Sequence, residues 1–298
     1  MPDPRAEPGK KGRLSVRKLF LPAALLLCLL LLPMGCLQDF FEVASEQVHG
    51  EAPKDDLELA EQALKERDTS EAEMRFERYL RKNPAGEQRW EVWQRLLAIS
   101  LNMRQDKATA KEYLEIMLEE FASDAPKRRS VALNLARLCN ETGAYARAVS
   151  LWEALGHDGG LPDEERATVY RLLSQAYLRR LEFTMATDVL ELCLQLPVAG
   201  STKADCLYSL AETQMFTDDL KAAEQSLHNL LALPEALPER RVLGIFMLAD
   251  VMDQQMRYKE ALKLFESIRD SYPNSKVVEV RLLSLKQKLD KRPDVVPK

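Results

Sequence analysis

Residues 133–155, LNLARLCNETGAYARAVSLWEAL, read as two amphipathic helices joined by a turn at Gly143-Ala144-Tyr145. On either side of that turn apolar residues recur three and four positions apart, the spacing of one helix face. In the second half the face is Ala148-Trp152-Leu155; in the first half a large residue precedes a small one, Leu135-Ala136. The small residue lets paired helices approach closely, and a bulky replacement there would overpack the crossing by about 1–3 kcal/mol.

The same signature recurs in both directions. Second helices carry Ala72-Phe76-Tyr79, Ala110-Leu114-Met117, Ala148-Trp152-Leu155, Ala186-Leu190-Cys193, Ala223-Leu227-Leu230 and Ala261-Phe265-Ile268. Their alanines are 38, 38, 38, 37 and 38 residues apart. First helices carry Leu59-Ala60, Leu97-Ala98, Leu135-Ala136, Leu173-Ser174, Leu210-Ala211 and Leu248-Ala249. Breakers close the units at Asn83-Pro84, Asp124-Ala125-Pro126, Gly159-Gly160, Leu196-Pro197, Leu233-Pro234 and Tyr272-Pro273, because proline cannot continue a helix. A fixed period of this length means a repeat array. The spacing predicts an all-α solenoid of six helix-turn-helix units over residues 53–275. Residues 276–291, KVVEVRLLSLKQKLDK, add an amphipathic helix whose apolar side is Val277, Val280, Leu282, Leu283, Leu285 and Leu289. The end of an array needs a polar outer face, so this helix is expected to be the cap and 292–298 a loose tail.

Composition agrees with helices. Gly numbers 11, aromatic residues are 7% and charged residues 30%, a balance rich in helix formers. Charge is uneven: residues 1–36 hold six basic and two acidic groups, a net of +4, which leaves −9 for the remainder of a chain whose total is −5. An acidic body gives no electrostatic reason to expect a nucleic-acid partner.

These residues resemble the tetratricopeptide (TPR) repeat, with small residues at two fixed positions, a large residue before the second, and a terminal proline. Units three and six (133–155 and 246–275, the latter with Met256-Arg257-Tyr258 at its turn) carry the resemblance best; units two and four lack an aromatic at the turn. The period of 38 exceeds the usual 34, which implies an extra helical turn or a longer loop per unit. The resemblance implies a TPR-like α-solenoid whose first helices line a concave groove that receives extended or helical peptides. Registered on the alanines, the groove residues it implies are Arg137 and Asn140 in unit three, and Arg171, Gln175 and Arg179 in unit four. Unit five gives Tyr208, Glu212 and Phe216, and unit six Phe246, Asp250 and Asp253. The middle is basic and suits an acidic segment; the C-terminal part offers aromatic anchors of the kind that dominate binding energies. The family's carboxylate clamp of Lys, Asn and Arg is not reproduced.

The N-terminus carries a second signal. LFLPAALLLCLLLLPMGCL (19–37) is uncharged and follows the basic stretch GKKGRLSVRK, the order of a secretory signal or signal-anchor. Pro33-Met34-Gly35-Cys36 resembles a bacterial lipobox, in which the cysteine is acylated, although Pro33 stands where leucine is usual. The readings are a lipoprotein acylated at Cys36, an uncleaved single-span anchor, or a free product. Acylation implies the outer membrane; an uncleaved segment implies the inner membrane. In either tethered case the rest is extracytoplasmic. Residues 37–52 read as a linker with Phe40 and Phe41.

Reactive groupings are missing from the sequence. His49, His157 and His228 are far apart, and there is no Cys-x-x-Cys and no Gly-rich phosphate loop, so no metal, cofactor or small-molecule substrate is expected. Glu119-Glu120 and Asp218-Asp219 read as solvated faces or turns. Of the five cysteines, Cys28 and Cys36 lie in the apolar segment, Cys139 and Cys193 fall at core positions, and Cys193–Cys206 could bridge in an oxidising compartment. The chain is expected to be no enzyme but a membrane-tethered protein-interaction scaffold of the bacterial envelope. By resemblance it would act in outer-membrane, secretin or pilus assembly. The alternatives are a structural spacer without peptide recognition and, last, an enzyme with an unrecognised site.

Overall fold

The computed structural model describes residues 55–291. The apolar segment with Cys28 and Cys36, the linker with His49 and the tail 292–298 lie outside the described residues. Among these, all regular structure is helical: α1 Asp56–Lys65, α2 Thr69–Lys82, α3 Arg89–Ala98 continued by a π turn Ile99–Met103, α4 Lys107–Glu120, α5 Ala125–Glu141, α6 Tyr145–Gly156, α7 Asp163–Arg179, α8 Phe183–Gln195, α9 Gly200–Phe216, α10 Leu220–Ala232, α11 Pro238–Gln254, α12 Tyr258–Ser267 and α13 Ser275–Lys291. These are six antiparallel pairs and a terminal helix. Every member of the predicted Ala-large-large series on the second helices is buried, and all six alanines are fully so. The long period is filled by helix: α5, α7, α9 and α11 are each 17 residues, while only residues 66–68, 104–106, 142–144, 180–182, 217–219 and 255–257 separate the two helices of a pair.

Those turns share one geometry. Arg67, Gln105, Gly143, Leu181, Asp218 and Met256 have φ of 64, 54, 77, 62, 60 and 63°, the left-handed residue that ends a helix in a Schellman motif. The next N–H then donates five residues back, from Asp68 to Ala63, Ala144 to Cys139, Glu182 to Tyr177, Asp219 to Gln214 and Arg257 to Met252. In unit two the same bond, Asp106 to Ser100, spans one residue more, and the π turn takes up the extra residue. This corrects the expected register there. Counting back from the acceptor, the residue aligned with Ala60, Ala136, Ser174, Ala211 and Ala249 is Leu97. Ala98 is turned partly outward while Leu96, Ile99 and Ser100 are buried.

Three further expectations change. Pro126 does not break a helix but sits in the first turn of α5 behind the N-cap Asp124, where its missing N–H is no loss. Glu120 is not a solvated carboxylate: it accepts two bonds from Arg89, both 2.6 Å, and one from the Trp93 indole at 2.9 Å. The cap is amphipathic, but its outer face carries exposed apolar residues among its polar ones. Val278, Leu282 and Leu285 are buried, whereas Val280 and Leu283 are 64% and 61% exposed.

The buried core runs from Ala60 on α1 to Val189 on α8 and again from Ala211 on α9 to Leu285 on α13. Between them lie only two small clusters, one built on Ala204, Leu207, Leu230 and Ala236 and one on Ala167, Cys193 and Cys206. Cys193 and Cys206 form a disulfide with Cα atoms 6.2 Å apart, joining α8 to α9 at that seam. Cys139 is a free, buried thiol.

Candidate partner-binding groove

The first helices α5, α7, α9 and α11 place the implied groove residues, and the structure divides those residues into two groups. Arg171, Tyr208, Phe246, Asp250 and Asp253 are held by neighbours. Asp205 on α9 receives Arg171 at 3.3 Å and Arg240 at 2.5 Å, and Arg240 also lies over the Tyr208 ring, 4.5 Å from its centroid. Burial of the Arg171 guanidinium and the nearby Arg240 both weaken its hold on its proton, against the pull of Asp205. Farther along, Asp253 takes Lys288 at 2.6 Å and Asp250 takes Arg281 at 3.4 Å. Burial lifts the Asp250 carboxyl above its usual range. Phe246 packs edge-on against Phe265 and stacks on Tyr272, with centroids 5.2 and 4.5 Å away. The expectation that it faces a partner is thus replaced by a core role, set by the large rings that follow α11 in the chain. Together these contacts form a ladder tying α7, α9, α11 and α13.

The second group converges on open space. Arg137, Asn140 and Glu141 of α5, Tyr145 of α6 and Leu172, Gln175 and Arg179 of α7 line a cavity of about 300 Å³. Gln175 and Arg179 also line the next one, about 480 Å³, with Leu178, Leu181, Phe183, Glu212 and Phe216. The shared residues make the two hollows one trough crossing three first helices.

Its chemistry is uneven. Arg137 and Arg179 are exposed, and neither has an ion-pair partner among the described residues. Asn140 has its side-chain oxygen buried without a hydrogen-bond partner among the described residues, an arrangement that costs free energy. At the far end Leu181 and Phe216 are 72% and 65% exposed, an apolar rim on an otherwise charged surface. Burial raises the Glu212 carboxyl above its usual value, although Arg179 and Arg240 pull it down. Leu181 and Phe183 were missed from the sequence because they lie at a turn and a second-helix start, outside the alanine register that selected first-helix positions.

A larger hollow, about 600 Å³, opens beside α5 and α6, but two of its cations are already paired, Arg129 with Asp158 at 2.9 Å and Arg147 with Glu115 at 2.6 Å. Among the described residues no three His, Cys, Asp or Glu side chains are grouped to hold a metal ion, and no helix is long and apolar enough to cross a membrane.

The tetratricopeptide repeat family matches residues 244–275, the last of the six pairs. No curated protein matches the chain significantly in sequence. Solved structures match its fold. BtubC from P. vanneervenii is 16% identical, with 63% of this chain and 85% of that chain covered and a TM-score of 0.53. Yeast Tom70 is 17% identical, covering 75% of this chain and 45% of that one, with a TM-score of 0.52. PilW, described as a widely conserved type IV pilus biogenesis factor, is 15% identical over 78% and 96% of the two chains, with a TM-score of 0.50. With its paired helices and its small-residue crossings repeated every 37 or 38 residues, the chain has the fold of a tetratricopeptide-repeat solenoid, and its sixth pair matches the repeat itself.

Proposed function

We propose that the chain is a non-catalytic scaffold that holds an acidic, partly apolar segment of a partner protein in the trough over α5, α7 and α9. The observation that carries this reading is the convergence on one trough of two guanidiniums, Arg137 and Arg179, that have no ion-pair partner among the described residues. Guanidiniums give charge-assisted bonds to carboxylates. Asn140 and Gln175 line the wall between the two arginines, and Leu181 with Phe216 receives an apolar side chain. The trough prefers an acidic segment because Arg137 and Arg179 have no ion-pair partner among the described residues, whereas Glu141 is taken by Lys107 at 2.9 Å and burial disfavours the ionised form of Glu212.

The scaffold is tethered to a membrane through the N-terminal segment, acylated at Cys36 or uncleaved, with the array on the extracytoplasmic side of a bacterial envelope. Two features support this placement: the basic-then-apolar order of residues 9–37 and the Cys193–Cys206 disulfide, a bond that persists in oxidising compartments. The envelope role includes assembly of outer-membrane, secretin or pilus machinery. The fold shared with PilW is compatible with the last of these.

Copurification from detergent-solubilised envelopes, with wild type and an Arg137→Ser/Arg179→Ser variant side by side, tests the reading. A defined envelope protein should be recovered by the wild type, be lost with the variant, and be released as salt is raised. Equal recovery by both proteins, or none by either, would overturn the groove and favour a spacer.

A further inference from the structure

The last described helix presents a face that no described residue covers. On α13, Val278, Leu282 and Leu285 pack inward, and Arg281 and Lys288 reach sideways to Asp250 and Asp253 of α11. Turned away from both contacts are Lys276, Val280, Leu283, Gln287 and Asp290, with Glu279 and Lys286 along one flank. Val280 and Leu283 are 64% and 61% exposed, and Val277 beside them 38%.

We propose that this face pairs with the same face of a second copy of the chain, antiparallel about a two-fold axis near Leu283. Charge placement selects this occupant. In an isologous antiparallel helix pair, each flank meets the identical flank of the other copy. Glu279 and Lys286 share a flank, and their midpoint lies beside Leu283, where the axis passes. Glu279 of one copy therefore faces Lys286 of the other, and the two-fold axis makes that pair twice. Lys276 and Asp290, near opposite ends of the free face, complement each other in the same way. Lys276, Lys286 and Asp290 have no ion-pair partner among the described residues, and Glu279 has only Arg269, at 3.6 Å. A parallel arrangement would instead set this flank against the opposite one, bringing Lys286 towards Lys291 with no carboxylate to meet it. Since α13 is 17 residues, about 25 Å long, the interface is small and the dimer belongs to the micromolar class.

Sedimentation equilibrium of the full chain in detergent micelles, across micromolar concentrations, provides the test. The wild type is expected to show a monomer–dimer equilibrium. Lys286→Glu should raise the dissociation constant about tenfold by opposing two like-charge pairs at once, and Glu279→Lys combined with Lys286→Glu should restore it. Both sites are exposed, so an unchanged helical melting curve is expected and shows that the fold survives. The proposal fails if the wild type is monomeric throughout or if the single charge reversal leaves the dimer unchanged. It fails equally if Leu283→Asp abolishes binding of the monomeric chain to anionic phospholipid vesicles without affecting self-association. That last result would assign the face to a lipid surface. The outcome is independent of the α5–α7–α9 trough, which shares no residue with this face.

Discussion

At the scale of single residues, some markers of the period were visible in the sequence and one was not. The fully buried alanines of the second helices stood out because no other side chain fits that crossing. The left-handed turn residues recur with the same spacing but only Gly143 betrays itself, since Arg67, Gln105, Leu181, Asp218 and Met256 adopt a positive φ without being glycine. Context outweighs their backbone cost, which is about 1–2 kcal/mol each. Gly143→Ala should therefore lower stability by about 1 kcal/mol although no atom lies within 4 Å of the added methyl; urea unfolding followed by circular dichroism measures it. An unchanged midpoint would mean that the turn is free to relax.

At the scale of elements, arginines close helix ends in a way no sequence motif announced. Arg89 donates to the Leu80 and Asn83 carbonyls, Arg166 to those of Asp158 and Leu161, and Arg241 to those of Leu231, Leu233 and Ala236. Each sits near the start of a first helix and satisfies carbonyls left by the preceding second helix. Arginine is common on solvated helix faces, so composition hid this role. Arg241→Met keeps much of the packing but orphans the Leu231 and Ala236 carbonyls and leaves Leu233 only the Ala236 N–H, and should cost about 2–3 kcal/mol in chemical denaturation. At the other end, the buried Asp56 takes Lys82 at 2.7 Å and Arg75 at 3.3 Å. The Lys82 hydrogen bond leads in holding its carboxyl below the usual value. A depressed carboxylate stabilises the fold above its unfolded value, about 3.9, and loses that contribution as pH falls through the lower folded value. Acid should thus loosen α1 from α2. The loss of amide protection in α1 on acidification should be blunted in Asp56→Asn, which is already weakened at neutral pH.

For the whole molecule, the architecture was legible and the groove only partly so. Six pairs and an end helix follow from one periodic pattern. Which first-helix side chains face a partner depends on neighbours 34 or 35 residues away, such as Asp205 capturing both Arg171 and Arg240, and no local pattern carries that. The seam between α8 and α9 was likewise hidden, because a break in a core is a property of packing. A repeat array couples only nearest neighbours, so the Cys193–Cys206 bond should matter most there. Closing a loop of 13 residues is worth about 3 kcal/mol. Reduction, or Cys193→Ser with Cys206→Ser, should split a single thermal transition into two, with residues 56–189 outlasting the rest. A single transition shifted as a whole would show that the halves are coupled without the bond.

The central claim is that the trough over α5, α7 and α9 holds an acidic segment of a partner. A photocrosslinking residue in place of Gln175, in intact cells producing the full chain, reads this most directly, with Ile116, exposed on the second helix α4, as the control position. The account predicts one protein adduct from position 175, mapped to an acidic stretch of the partner, absent from position 116 and abolished by Arg137→Ser with Arg179→Ser. The same adducts from both positions, or an adduct at 175 indifferent to the two arginines, would contradict it.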